Sequence, residues 1–253
     1  MLTSTIFALL GVGASSFAPA RLARPPRAAP PSMNLFGDFF DDGKLKPQAP
    51  YERPLYPPLV KKEAASYVLQ EKMFSLSGED FRVRDVGGAE VIQVAGGNVN
   101  LGGVVVDKMY FKDARGAQFC SVERRILATT TCYDIYADGA CVAKIDREMF
   151  SAAPEYKFYY EGDMNPFPDF KAEGSFSARK YTFKNGGGET IARVSRGEEA
   201  VRDVDTYTVE VAAGVDAAAI VACAVVIDED HDEEDAKKAK EAKEEGGGGG
   251  WFG

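Results

Sequence analysis

Hydrophobic and polar residues alternate along most of the chain in short runs that are separated by turn residues. Residues 132–136 and 141–145, for example, flank the pair Asp138 and Gly139. Asp-Gly and Asn-Gly pairs tolerate the positive φ that tight hairpins require. Alternation with a period of two indicates a sheet with one buried face. The pattern therefore predicts a series of antiparallel hairpins.

About a dozen such runs follow one another up to residue 211. An open sheet of that size usually curls or splits, and closure into a barrel removes its exposed edges. We therefore expect a mainly β fold, a closed antiparallel barrel. A glycine-rich segment, residues 96–103, is expected to be a flexible loop. The predicted strands are 72–76, 81–84, 91–94, 104–106, 109–111, 118–122, 125–128, 132–136, 141–145, 158–160, 174–177, 180–183, 190–195 and 206–211.

One stretch, residues 217–227, contains no polar side chain. Its alanines favour a helix and its valines and isoleucines favour a strand. We predict a helix because Asp216 precedes it at the position of an N-cap. A helix that is apolar all round must be enclosed, and about 16 Å of helix is half a bilayer core. The barrel is therefore its expected surrounding, and its structural residues are Asp216, Ile220, Val221, Cys223, Val225, Val226 and Ile227.

Composition divides the chain into four parts. Residues 1–33 lack acidic side chains and combine an apolar run with three arginines, which is typical of a signal followed by a transit peptide. Residues 14–19 resemble the phenylalanine-centred cleavage motif of bipartite plastid presequences, and Phe17 is that phenylalanine. A plastid is the expected location, with a secretory or endomembrane route as the alternative. The other parts are an irregular arm (34–66), the barrel domain (67–228) and an acidic, glycine-rich tail (229–253).

The arm and the tail each carry aromatic residues for which the sequence allows two roles. In the arm, Phe36, Phe39 and Phe40 either pack on the domain or face a partner. The tail is expected to form a frayed helix followed by a flexible leash. At its end, Trp251 and Phe252 either dock on a protein partner or serve no purpose.

Charge and residue counts exclude several functional classes. A net charge of −9 gives nucleic-acid binding no electrostatic support. The single histidine, His231, argues against an enzyme with a histidine-based catalytic site and against multi-histidine metal centres. The four cysteines form no CxxC pair, so we expect free thiols in a reducing compartment. We expect neither enzymatic activity nor a cofactor.

The acidic run 228–235 invites comparison with a calcium-binding loop. Asp228, Asp230 and Asp232 have the spacing of EF-hand ligands. Glu233 stands where that loop needs glycine, and Ala239 stands where it needs glutamate. The run is therefore expected to be a solvated exit from the barrel, with no metal site beyond loose cation binding.

Seven basic residues are concentrated around the second and third hairpins. On an acidic protein they form either a local surface for anionic lipid or ordinary solvated strand faces. We take the lipid surface as the candidate site. Its residues are Lys108, Lys112, Arg115, Arg124, Arg125, Lys144 and Arg147.

The order of these elements resembles the LURP-one-related proteins, which belong with the tubby carboxyl-terminal domain and the phospholipid scramblases. The resemblance covers about residues 67–230 and is carried by an ensemble of short motifs. They are 81–94, 113–127, 133–136, 143–145, 174–176, 191–195, 205–211 and the helix that Asp216 opens. The resemblance implies a twelve-stranded barrel around a C-terminal hydrophobic helix.

The function that this resemblance implies is non-enzymatic. Tubby-like members bind phosphoinositides through basic barrel residues, and scramblase-like members associate with membranes. We therefore expect a monomeric module that binds an anionic lipid head group or a membrane surface in a plastid. The alternative is a protein-interaction scaffold that acts through its N-terminal arm and C-terminal tail.

Overall fold

The computed structural model describes residues 44–71, 81–101, 104–125, 130–148, 154–196 and 206–246. Within them, twelve strands close into one antiparallel barrel, as predicted, in which each strand pairs with its neighbours in sequence and β1 pairs with β12. The strands are β1 (Ala65–Glu71), β2 (Phe81–Asp85), β3 (Glu90–Leu101), β4 (Val104–Asp113), β5 (Gln118–Arg124), β6 (Cys132–Ala137), β7 (Ala140–Glu148), β8 (Glu155–Tyr160), β9 (Phe170–Ser175), β10 (Lys180–Asn185), β11 (Thr190–Ser195) and β12 (Thr206–Val211).

Side-chain alternation gives the barrel its two faces. In β8, Tyr156, Phe158 and Tyr160 are buried, and the residues between them are partly exposed. β12 repeats this pattern. Because successive side chains of a strand point to opposite faces, the apolar set of every strand fills one common interior.

Three hairpin turns contain the same side-chain-to-backbone hydrogen bond. A side-chain oxygen of Asp85, Asp113 or Asn185 accepts a hydrogen bond from the backbone four residues later, at 2.9–3.0 Å. The glycine before the residue that donates this hydrogen bond, for example Gly116 at φ 82°, takes the left-handed conformation. With the Asp138–Gly139 turn, these turns lie at one end of the barrel, which we call the hairpin rim.

The helix α1 (Ala217–Gly246) begins at the hairpin rim and runs through the barrel. Residues 217–227 are each no more than 1% exposed, so the predicted buried helix is confirmed. The helix does not end there. It continues through the acidic run to Gly246 and leaves at the opposite end, which we call the exit rim (the ends of β5 and β7 and the β9–β10 turn). No helix among the described residues is long and apolar enough to cross a bilayer.

Several predicted boundaries differ from the observed ones. Residues 96–101, predicted as part of a loop, belong to β3, which pairs with β4 as far as Leu101 and Val104. Gly97 fits there because the Tyr110 ring covers it, and a Cβ would meet that ring at 3.1 Å. Strand β5 ends at Arg124 and Arg125 lies outside it, while the rest of the predicted strand 125–128 lies outside the described residues. The predicted strand 72–76 lies outside the described residues.

The arm packs across the hairpin rim. Backbone N–H groups of Lys46 and Gln48 donate to Thr190 and Ala213, each at 2.8 Å. Leu55 and Leu59 are buried, and the Tyr51 ring stacks on Tyr160 at 3.8 Å. The arm thus covers the end of the barrel at which the helix begins. Phe36, Phe39 and Phe40 lie outside the described residues.

Candidate functional site

Asp216 joins the arm to the start of the helix. One carboxylate oxygen accepts from the backbone N–H of Ala218 at 3.1 Å, as a helix cap does. The other accepts from the backbone N–H of Leu55 at 2.6 Å and from the Tyr160 hydroxyl at 3.2 Å. Burial raises the pKa of Asp216, because removal from water disfavours the charged carboxylate. This group is structural, since its acceptors are used within the chain.

Three arginines meet the helix where it leaves the barrel. They come from the end of β5, from the end of β7 and from the β9–β10 turn, and their partners lie in the acidic run. The pairs are Arg124 with Glu233 at 2.6 Å, Arg147 with Glu234 at 2.5 Å and Arg179 with Asp228 at 2.7 Å. Because the three strand ends surround the helix, these pairs hold it from several sides.

Asp230 is the most enclosed acid of this rim. Its side chain is 2% exposed, and it accepts a hydrogen bond from the Tyr133 hydroxyl at 2.6 Å. A guanidinium nitrogen of Arg147 lies 3.9 Å away. Burial raises the pKa of Asp230. A buried acid with a fixed donor specifies how deeply the helix sits, because a shift of one helical turn would separate them.

The single histidine lies beside this rim. The His231 ring is 5.9 Å from the Phe176 ring, and burial lowers its pKa, so it is neutral at neutral pH. The neighbouring arginines also rest on aromatic faces. The Arg147 guanidinium is 5.7 Å from the Tyr156 ring, and the Arg179 guanidinium is 5.3 Å from the Tyr207 ring.

Three carboxylates approach one another at the exit rim. Oxygens of Glu71, Asp228 and Asp232 lie within 4.8 Å of each other, a spacing that a metal ion can bridge. Arg179 already supplies positive charge to Asp228. The EF-hand comparison is excluded structurally, because residues 228–239 are helical and do not form a loop.

The seven residues of the predicted lipid surface do not form one surface. Five of them pair with carboxylates of this chain. Arg124 and Arg147 turn to the helix at the exit rim, while Lys108 pairs with Glu123 at 2.5 Å on the outer wall. Lys112 and Arg115 lie on the β4–β5 hairpin and make no ion pair within the described part of the chain.

Arg125 and Lys144 share a partner on the outer wall. Both contact Asp163, at 3.1 Å each. Arg125 also binds both oxygens of Asp134, which raises the pKa of Arg125 chiefly through that hydrogen bonding. Lys144 also pairs with Asp146 at 2.9 Å. Both cations are therefore largely neutralised by the chain itself.

A pocket of about 380 Å³ lies on the outer wall at β5. Its lining includes Phe119, Ser121 and Tyr136 together with the Lys108–Glu123 pair. The four cysteines, Cys120, Cys132, Cys141 and Cys223, are free thiols, and all except Cys141 are buried. Partial removal from water and the nearby Asp134 carboxylate raise the pKa of the Cys141 thiol, which does not suit it to act as a nucleophile.

The comparisons with known proteins agree with this architecture. The LURP-one-related family model matches residues 65–228 of the chain. The chain belongs to the LURP-one-related family. An X-ray structure of a protein from Arabidopsis thaliana is similar to this LURP-one-related chain, with a TM-score of 0.53 and 16% identity over 72% of this chain and 99% of that chain. At that identity the likeness concerns the fold. No curated protein is significantly similar in sequence.

The pairing at the exit rim of this LURP-one-related barrel was not predicted from the sequence. Arg124 and Arg147 were assigned to a lipid surface, Asp230 was considered only as a calcium ligand, and Arg179 was not singled out. One signal was present, because alternation along β5 puts Arg124 on the same face as the buried Cys120 and Val122. An arginine on the inward face of a barrel strand requires a carboxylate partner. The acidic run that directly follows the buried helix supplies it.

Proposed function

We propose that this LURP-one-related chain is a non-enzymatic scaffold that binds a protein partner through its outer surface. One observation carries the proposal: a helix occupies the barrel interior, with residues 217–227 no more than 1% exposed. Binding therefore falls to the rims, the wall and the projecting helix. The engagement of five of the seven predicted lipid contacts in ion pairs also favours a protein over a lipid.

The projecting part of α1 is one docking element of this scaffold. Beyond the exit rim, residues 235–242 are exposed and mostly charged or alanine. Such a helix gains little from packing on its own barrel, so its surface is available to a partner with complementary charges. Glu233 with Lys237, at 3.8 Å, is one of the pairs that support its helicity.

Truncation tests this scaffold directly. A chain that lacks residues 236–253 keeps every exit-rim ion pair and should lose partner binding in an affinity-capture experiment with quantitative mass spectrometry. A second chain that lacks only residues 247–253 removes Trp251 and Phe252, which lie outside the described residues. If both chains lose partner binding, docking is assigned to the terminal aromatics. If only the chain that lacks residues 236–253 loses it, docking is assigned to the helix. Unchanged capture by both would contradict docking through the tail.

A second candidate function is binding of an anionic lipid head group at a plastid membrane. It is supported by Lys112 and Arg115, which the β4–β5 hairpin presents without an ion pair among the described residues. Flotation with vesicles of phosphatidylcholine and 30% phosphatidylglycerol tests it. Lys112→Ala with Arg115→Ala should abolish binding, and Arg193→Ala, on the opposite wall, should not. Equal flotation of all three chains would exclude this hairpin as the lipid contact.

The plastid address rests on residues 1–33, which lie outside the described residues. We propose that they direct import and are then removed. A fluorescent fusion to residues 1–46 should reach the plastid, and a fusion with Phe17→Ala should stop in the secretory pathway. Secretion of both fusions would contradict the address.

A further inference from the structure

The β8–β9 connection exposes two large apolar side chains. Met164 is 69% exposed and Phe167 is 73% exposed. They are two of the three large apolar side chains that the described part of the chain leaves widely exposed, and the third is Val86 on the β2–β3 turn. A single exposed apolar residue is ordinary, but two on one short loop form a small apolar projection.

Partly buried hydrogen bonds fix the backbone of this loop. Asn165 is 5% exposed, and its amide nitrogen donates to Asp169 at 2.6 Å. The Asn165 side-chain oxygen accepts from the backbone N–H of Phe167 at 3.2 Å. Asp169 also accepts from the backbone N–H of Tyr160 at 2.8 Å, which ties the loop to the end of β8.

Further restraints bind the loop to the outer wall. Asp163 contacts Arg125 and Lys144, and the backbone N–H of Glu161 donates to Val142 at 2.7 Å. Prolines on both sides of Phe167 fix their own φ angles. The loop therefore holds its apolar side chains in one backbone arrangement before any partner arrives. Preorganisation of this kind lowers the entropic cost of binding.

The charges around the loop decide the kind of partner. Glu161, Asp163 and Asp169 belong to the loop itself, while Asp134 and Asp146 lie on the wall beside it. The loop itself contains no lysine or arginine, and the cations beside these five carboxylates are Arg125, Lys144 and Lys157, the last of which lies opposite Asp146 in the sheet. This surface is negative, so an anionic bilayer would be repelled, and a protein with basic residues around an apolar pocket would be attracted.

We infer that the β8–β9 loop, residues 161–169, docks into an apolar pocket with a basic rim on a protein partner. Phe167 is the anchor, because a rigid aromatic side chain in a partner's pocket contributes most of the affinity in many interfaces. Met164, whose side chain is flexible, packs against the edge of the partner's pocket beside Phe167. This inference rests on the proposed scaffold function and gives that function a second surface, distinct from the projecting helix.

Site-specific crosslinking followed by titration tests the inference. A photo-crosslinking phenylalanine analogue is placed at position 167 of the full chain, and at position 238 of the helix in a separate chain. Crosslinks are formed in extract of the source organism, and the partner found at position 167 is then purified and titrated. We expect Phe167→Ala to weaken its binding at least tenfold and Met164→Ala to weaken it severalfold. Added salt should weaken binding as well.

Val86→Ala is the matched control, because it removes an apolar side chain that is at least as exposed from another turn. It should leave the affinity unchanged, and all three variants should keep the thermal midpoint of the parent chain. A partner crosslinked only at position 238, or a titration unaffected by Phe167→Ala, would overturn the loop assignment and leave the scaffold function standing. Absence of a partner at both positions would remove both proposals. Flotation with phosphatidylglycerol vesicles that is lost in Phe167→Ala would make a membrane the occupant and overturn the inference.

Discussion

Removal of Arg147 should destabilise the barrel far more than removal of an outer-wall arginine. The Arg147 side chain is 10% exposed, and its neighbour Asp230 is 2% exposed. Loss of one partner of a buried ion pair leaves an uncompensated charge and costs about 3–5 kcal/mol. The control is the pair Arg193 and Glu210, which is 3.5 Å apart with side chains 36% and 41% exposed. An exposed pair of this kind contributes about 0.2–1 kcal/mol.

A double-mutant cycle separates the pair from its surroundings. Arg147→Met removes the cation, and Asp230→Asn removes the buried charge but keeps an oxygen for the Tyr133 hydroxyl. The double variant should be less destabilised than the sum of the single variants by about 2–3 kcal/mol, because it leaves no buried carboxylate unpaired. Glu234, the other partner of Arg147, is 32% exposed and remains hydrated when the arginine is removed. Urea unfolding at pH 8 measures this coupling, and the same cycle on Arg193 and Glu210 should give less than about 1 kcal/mol. Equal, small couplings in both cycles would refute the argument.

Three further changes test other parts of the fold. Gly214→Ala should lower the free energy of unfolding by at least about 1 kcal/mol and expose the arm to trypsin, since φ is +78° and a Cβ would lie 1.8 Å from the Gln48 carbonyl oxygen. Gly186→Ala, which meets nothing within 4 Å, should change neither. Ile220→Ala, at a fully buried position, should cost about 2–5 kcal/mol in urea unfolding. Asp216→Asn should be relatively more destabilising at pH 4 than at pH 8. Because the pKa of Asp216 is raised in the folded chain, this carboxyl group contributes more to folding stability at low pH, and that contribution is lost as pH rises through the raised pKa. An equal loss of unfolding free energy in Asp216→Asn at both pH values would contradict the burial of this group.

Local signals in the sequence were sufficient for the barrel and its helix. The turn residues Asp85, Asp113 and Asn185 predict hairpins because their side chains cap the turn from within it. Residues 217–227 predict an enclosed helix because they offer water no polar side chain. Long-range contacts were not readable in the same way. Residues 96–101 have the composition of a loop, and only pairing with β4 and the Tyr110 ring makes them a strand.

The candidate surface illustrates why closeness in sequence misleads within a sheet. Arg124 and Arg125 are adjacent, yet Arg124 pairs with the helix inside the exit rim and Arg125 pairs with Asp134 and Asp163 on the outer wall. Successive residues of an extended chain point to opposite faces, so a cluster of basic residues in sequence is divided in space. The exit-rim pairs join residues that lie 49 positions apart (Arg179 and Asp228) to 109 positions apart (Arg124 and Glu233), which no short motif reveals.

Native-state hydrogen exchange on α1 tests the central claim most directly. Enclosure of residues 217–227 in the barrel predicts that their amides exchange only when the whole domain unfolds, with an opening free energy equal to the free energy of unfolding from urea. Amides of residues 236–242, on the exposed part of the same helix, should exchange through local opening and much faster. Rapid exchange of both segments at a similar rate would contradict the enclosed helix.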